Sequence, residues 1–164
     1  MKAASSSGLE GVVAAQTALS HVDGEKGELI IAGSRIESLA GHRRFEQVCA
    51  LLWSEASVDL GPSRVAAFAR LPALGGALEL VDGMDALRAA LAQLPSDSSA
   101  LQVTAATGVF AAAWWRRRAG LPPVAPDPRL EHAADVLRMV RGEPASGPLV
   151  DGLDAYLVTV IDTE

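Results

Sequence analysis

The sequence has a single cysteine, few aromatic residues and no excess of positive charge. Because Cys49 is the only cysteine, an internal disulfide framework and a zinc site made of four thiolates are excluded. The three histidines, His21, His42 and His132, never fall at the i, i+4 spacing of a helical metal-binding pair. A net charge of −6 argues against a general nucleic-acid-binding protein. We therefore expect that the protein binds no metal, no cofactor and no nucleic acid.

One stretch, residues 100–115, is apolar enough to raise the question of a membrane segment, and three arginines follow it. It is short of the about 20 apolar residues that span a bilayer, and Gln102, Thr104, Thr107 and Gly108 interrupt it. We interpret it as a buried helix. The first seven residues lack the apolar core of a signal peptide, so we expect a cytoplasmic protein with no membrane partner.

The hydrophobic share is 49% while aromatic residues make up only 4%, so Ala, Leu and Val have to fill the core. A composition rich in Ala and Leu favours helices, and the length suffices for one domain with a real core. We predict a mainly α fold with a flexible N-terminus over residues 1–7 and one folded unit over residues 8–164.

A β-hairpin is predicted near the N-terminus. An apolar stretch over residues 12–19 and a β-favouring run over residues 29–32 flank an Asp-Gly turn, and Gly33 ends the hairpin. The segment Gly24-Glu25-Lys26-Gly27 lacks the frame of a phosphate-binding loop and is interpreted as the hairpin turn. Ser34 and Glu37 fit a capping box, which predicts a short helix that ends at Gly41.

Apolar spacing and stop signals predict further helices. Asp82-Gly83 and Ser96-Asp97-Ser98-Ser99 are start signals, and in the helix after Asp82 the stripe Met84, Leu87, Leu91 and Leu94 is expected to face the core. An extended, proline-rich connector is predicted over residues 121–128. The predicted helices lie at residues 45–53, from 61 to about 71, 84–94, 99–118, about 130–141 and from about 149 onward.

Two features attract a chemical interpretation but have a structural alternative. The arginines Arg116–Arg118 suit a phosphate or a CoA-type anion, yet a solvated helix end that compensates the helix dipole is the favoured interpretation. Cys49 lies in an apolar helix with no histidine at a suitable local spacing. It is therefore predicted to be a buried structural thiol rather than a nucleophile.

Two further groups are weighed in the same way. Glu131, His132 and Asp135 share a predicted helix, where a solvated face is favoured over an acid–base pair. Trp114 and Trp115 are interpreted as packing residues rather than a ligand platform. From residue chemistry alone, no nucleophile, base and oxyanion donor come together in one place.

Several segments resemble a known family. Residues 8–33, GLEGVVAAQTALSHVDGEKGELIIAG, closely resemble the opening of citrate synthases and 2-methylcitrate synthases. The segments SRIESLA (34–40), FEQVCALLW (45–53), DGMDALR (82–88) and LDAYLVTV (153–160) match later elements of that family in order. The resemblance covers nearly the whole chain and is most specific in its first part.

The resemblance implies the N-terminal part of a mainly helical large domain over residues 8–164, with a small N-terminal β-hairpin. Family members are two-domain homodimers that condense acetyl-CoA or propionyl-CoA with oxaloacetate. Their catalytic aspartate and histidines and their substrate-binding arginines lie in segments absent from this sequence. The family's substrate-associated histidine falls on Thr163, which cannot act as an acid or base near neutral pH. No catalytic or substrate-binding residue is therefore carried over.

Three hypotheses remain open. In the first, the chain is half of a split synthase, and a second chain supplies the catalytic half; its start at Met1 in the family's register and its apolar last helix favour this. In the second, it is a non-catalytic binding or regulatory relative that docks on an intact synthase. In the third, it is a truncated remnant. Helix faces without their natural partner are expected to cause binding to another chain or self-association.

Overall fold

A small antiparallel sheet opens the part of the chain that the structure describes, which is Thr17 and residues 19–162 of this computed structural model. Its strands are β1 (Ser20–Asp23), β2 (Glu28–Ile31) and β3 (Ser34–Arg35), in the order β1-β2-β3. Strand β1 pairs with β2 from Ser20 opposite Ile31 to Asp23 opposite Glu28. The predicted hairpin is confirmed, and residues 24–27 form its turn.

The hairpin region differs from the prediction in two details. The described strand before the turn is Ser20–Asp23, and Thr17 and Leu19 of the predicted stretch 12–19 lie outside it, while residues 12–16 and 18 lie outside the described part of the chain. Ser34 does not cap a helix but belongs to β3, because Ala32 and Gly33, at φ of 46° and 78°, form a tight turn back onto β2. The 3-10 turn Ile36–Ser38 follows directly and has no side-chain cap, so the capping box is absent.

Helices make up most of the remaining described chain, which confirms the mainly α prediction. Their N-termini are set by local signals: the Asp82 carboxylate accepts from two backbone amides, and Ser99 forms a capping box with Gln102. The preceding helix ends at Ala69, and the chain continues in a 3-10 segment (Leu71–Glu79) that has Pro72 in its first turn. The α-helices are α1 (Phe45–Trp53), α2 (Gly61–Ala69), α3 (Gly83–Leu91), α4 (Ala100–Arg118), α5 (His132–Arg141) and α6 (Gly147–Thr159).

Helix α4 lies at the centre of the fold. Its small residues, among them Ala106, Ala112 and Ala113, are buried in one apolar cluster with residues of α2, α3, α5 and the 3-10 segment. A second cluster joins the sheet, α1 and α6, and Ala105 of α4 contributes to it. None of the described helices is long and apolar enough to cross a membrane, so the interpretation of α4 as a buried helix is consistent with its packing.

The predicted core face of α3 needs one correction. Met84 is 66% exposed, and the residues that α3 buries completely are Ala86 and Ala90. Leu87 and Leu91 pack against the first cluster only in part. At the start of α3, Trp114 of α4 lies directly against Gly83, where a Cβ would come within 2.9 Å of the indole ring.

Candidate functional site

A buried ion pair joins α2 to α5. The Arg64 and Asp135 side chains are both 0% exposed, and Arg64 Nε donates to Asp135 Oδ2 at 2.8 Å. The other carboxylate oxygen, Oδ1, accepts from Arg138 Nη2 at 2.7 Å and from the backbone amide of Asp127 at 3.1 Å. Since every oxygen of Asp135 is bonded, its burial is compensated and the group is held in one geometry.

The same arginine fixes the connector that precedes α5. Arg64 Nη2 donates to the carbonyl oxygens of Leu130 at 2.5 Å and of Asp127 at 3.3 Å. The connector lies so close to α2 that a Cβ at Gly61 would be 2.3 Å from the carbonyl oxygen of Pro128. Glycine at position 61 is therefore required for this approach, and the network positions the start of α5.

His132, the first residue of α5, lies beside this ion pair and is 4% exposed. Its backbone amide donates to Glu46 Oε1, and its ring lies against the Phe45 ring with centroids 5.5 Å apart. Burial, with the positive charge of Arg64, lowers the pKa of His132 from 6.5 to about 4. Burial also raises the pKa of Glu46. At neutral pH the imidazole is consequently uncharged.

The prediction of a solvated face for Glu131, His132 and Asp135 is wrong for two of the three residues. Glu131 is exposed, but His132 and Asp135 are buried because Arg64 and Glu46 supply partners from distant parts of the chain. Asp135 directs its oxygens to arginines and a backbone amide rather than to the imidazole. The group is thus a structural network and does not have the geometry of an acid–base pair.

The arginine triplet does not act as one unit. Arg116 is buried, and it donates from Nε to the Pro122 carbonyl at 2.6 Å and from Nη1 to the Val140 carbonyl at 3.2 Å. Its interpretation as part of a solvated helix end is therefore wrong. Arg118 is exposed at the end of α4, as that interpretation requires. Arg116 is buried and directs Nε and Nη1 to carbonyl oxygens, so the three arginines do not form one anion site.

The predicted structural roles of Cys49 and Trp114 are confirmed, whereas the packing role predicted for Trp115 is not. Cys49 is 1% exposed, and burial raises the pKa of its thiol to about 12, so it is no nucleophile at neutral pH. Trp114 Nε1 donates to the Leu80 carbonyl at 2.9 Å, whereas Trp115 is 56% exposed and packs much less. In the described part of the chain, no group of three His, Cys, Asp or Glu side chains is placed to hold a metal ion.

A polar cleft of about 510 Å³ lies where α1 meets α6. Arg44 spans it. Its Nη1 donates to Asp151 Oδ1 at 2.8 Å, and its Nε lies 3.3 Å from Glu131 Oε2. The buried Asp154 carboxylate accepts from the Phe45 amide at 3.1 Å and so caps α1 from α6. Arg44, Asp151 and Asp154 at the cleft are therefore already paired within the protein. The Thr163 position lies outside the described residues.

Several residues of these networks were missed from the sequence, among them Glu46, Arg64 and Asp154. A usable signal existed for Arg64, because it lies three and four residues before Ala67 and Phe68 on the apolar face of α2. A charged side chain on a buried helix face needs an opposite charge nearby. The sequence did not indicate where in the chain that charge would be.

Comparison with known proteins decides the family. A family model described as citrate synthase, C-terminal domain, matches residues 8–164. The chain belongs to the citrate synthase family. It is 34% identical to citrate synthase from Haloferax volcanii, over 94% of this chain and 48% of that protein. It is 30% identical to a 2-methylcitrate synthase from Mycobacterium tuberculosis, over 92% of this chain and 44% of that protein.

The fold agrees with solved members of the citrate synthase family. Citrate synthase from Thermotoga maritima superposes with a TM-score of 0.80 at 22% identity, over 96% of this chain and 46% of that one. The enzyme from Pyrobaculum aerophilum gives 0.75 at 27% identity, over 95% and 47%. The resemblance found in the sequence is confirmed. The chain spans about half the length of the relatives it matches.

Proposed function

We propose that this chain is the N-terminal half of an enzyme that condenses acetyl-CoA or propionyl-CoA with oxaloacetate, and that it contributes scaffold rather than catalytic groups. The observation that carries the proposal is the family match over residues 8–164 combined with coverage of only about half of each relative. Residues 8–164 would then be part of the large domain, and the N-terminal segment over residues 1–7 lies outside the described residues.

The state of the buried polar groups supports a scaffold role. General acid–base catalysis needs a group that exchanges protons near the working pH and reaches a substrate. Among the described residues, the His132 imidazole is buried and uncharged, and the Cys49 thiol is buried and protonated. Arg64 and Arg116 donate to groups of the protein itself. Condensation would therefore require the segments that carry the family's aspartate and histidines.

Exposed apolar side chains support a protein partner. Val81, Met84 and Trp115 lie exposed on and around α3 and α4, and Tyr156 lies exposed on α6. Exposed apolar groups of this size are typical of interaction surfaces when they cluster. We propose that the catalytic half of the family, or a second copy of the chain, covers such faces in a cytoplasmic, oligomeric assembly.

The first test is a condensation assay on the pure chain. Thiol release from acetyl-CoA or propionyl-CoA with oxaloacetate is expected to be absent, and Cys49→Ala provides a matched control because it removes the chain's own thiol. Oxaloacetate-dependent thiol release by the pure Cys49→Ala chain would contradict the scaffold role.

The second test is purification of the tagged chain from its own cells, followed by mass spectrometry of bound proteins. A stoichiometric partner that carries the catalytic aspartate and histidines supports the proposal, provided that the complex condenses the substrates. An intact synthase as the bound partner would instead favour the alternative, a non-catalytic relative that docks on a synthase. The threonine at position 163, in place of the family's histidine, is the observation that keeps this alternative open.

A further inference from the structure

Three helices place unmatched polar atoms at the first turn of α5. Glu46 of α1, Arg64 of α2 and His132 of α5 each have a buried side-chain atom without a hydrogen-bond partner among the described residues. The atoms are Glu46 Oε2, Arg64 Nη1 and His132 Nδ1. Such atoms are rare in folded proteins, and each one calls for a partner.

The three side chains are held as neighbours by their other polar atoms. Glu46 Oε1 accepts from the His132 amide, so the carboxylate lies at the start of α5. Arg64 bonds to the Leu130 carbonyl and to the Asp135 carboxylate, which lie on either side of His132 in the chain. The charge of Arg64 also acts on both Glu46 and His132. Yet none of the three unmatched atoms forms a hydrogen bond with another.

The surrounding packing prevents the groups from closing on one another. A Cβ at Gly108 would come within 2.9 to 3.0 Å of the His132 ring, and the Phe45 ring lies along it at a centroid distance of 5.5 Å. The Arg64 guanidinium is fixed by bonds from Nε and Nη2. Movement of the Arg64 guanidinium towards the other two atoms would therefore break bonds that the structure already makes.

The chemistry of the three atoms specifies their ligand. Arg64 Nη1 only donates, and Glu46 Oε2 accepts when the carboxyl is ionised. An anion would be repelled by Glu46 and a cation by Arg64, so the ligand has to be neutral and has to both accept and donate. We propose that Glu46 Oε2, Arg64 Nη1 and His132 Nδ1 hold one buried water molecule that joins α1, α2 and α5. The water accepts from Arg64 and donates to Glu46 and to the imidazole of His132.

A crystal structure of the full chain, at a resolution that shows ordered water, tests the site directly. We expect one well-ordered water at about 3 Å from each of the three atoms. A direct bond between any two of these side chains would overturn the proposal. Occupation of the site by an atom from residues 1–16 would overturn it equally.

Oxygen-17 relaxation dispersion, which counts internal waters that exchange slowly, tests the site in solution. Glu46→Gln keeps an oxygen for the His132 amide and offers an NH₂ group to the water, so its count of slowly exchanging waters should equal that of the wild type. Glu46→Met has no polar atom for either the His132 amide or the water, and it should lose one slowly exchanging water. Glu55→Met, at an exposed position just after α1, is the matched control and should lose none.

If Glu46→Met does not fold, the wild-type crystal structure and the wild-type count of slowly exchanging waters still decide. A wild-type count of zero slowly exchanging waters, or an unchanged count in a folded Glu46→Met variant, would refute the proposed site.

Discussion

The buried imidazole of His132 predicts how stability changes between pH 7 and pH 5. In the unfolded chain a histidine takes up a proton near pH 6.5, whereas in the fold the pKa of His132 is about 4. Between these values the unfolded state binds more protons, so the free energy of unfolding falls as pH falls from 6.5 towards 4. The full difference corresponds to about 3 kcal/mol, of which about 2 kcal/mol is already lost at pH 5.

Neighbouring groups contribute with both signs and have to be separated in the experiment. Arg64 lowers the pKa of His132 further, while Asp135 raises it. Burial raises the pKa of Glu46, so this carboxylate is protonated at a higher pH in the folded protein than in the unfolded chain. Its contribution to the free energy of unfolding therefore grows as pH falls. The Glu46→Gln variant removes this opposing effect and isolates the contribution of His132.

Urea unfolding at a series of pH values from 7.5 to 5 measures this effect. In the Glu46→Gln background, the loss of about 2 kcal/mol by pH 5 should vanish when His132→Gln is added, whatever that variant's stability at pH 7. A His132 ring proton that titrates near pH 6.5 in the folded protein by NMR would refute the reasoning even if the double variant fails to fold.

Three further predictions concern stability. Removing one partner of the buried ion pair, by Arg64→Met or Asp135→Leu, should cost about 3–5 kcal/mol in urea unfolding, because a buried charge is left uncompensated. The double variant should lose less free energy of unfolding than the two single variants together, and strict additivity would argue against a direct pair. Asp154→Ala should lower the free energy of unfolding by about 0.5–2 kcal/mol, because it removes the cap of α1. Asp151→Ala, at an exposed position on the same helix, is the comparison, and an equal loss in both variants would contradict the cap. Ala32→Asn should raise stability by about 1 kcal/mol because Ala32 has a φ of 46°, and no gain would contradict strain in this turn.

The parts of the fold that were predicted from the sequence depend on neighbours in the chain. Asp82 and Ser99 cap helices through amides two or three residues away, so their role is visible in a short window. The Asp-Gly turn of the hairpin is local in the same sense. The family resemblance added the overall arrangement, which local patterns do not contain.

The parts that were missed depend on distant pairs. Arg64 and Asp135 are 71 residues apart, and Asp154 caps Phe45 across 109 residues. A helical wheel of α5 shows His132 and Asp135 as polar, and only the packing of α1 and α2 against it makes them buried. The prediction of a helix cap at Ser34 was wrong for a different reason. Strand pairing through the turn at Ala32 competed with a plausible local cap.

The proline-rich connector also has a consequence for how the chain meets a protease. By composition, residues 121–128 are a typical linker, the kind of segment that is cut first in limited proteolysis. In the fold, arginine side chains hold the carbonyl oxygens of Pro122, Ala125 and Asp127. A protease has to draw an extended segment into its cleft, and this one is tied down along its length. The exposed turn over residues 142–146 should therefore be nicked earlier, and the connector should remain intact until the fold opens as a whole.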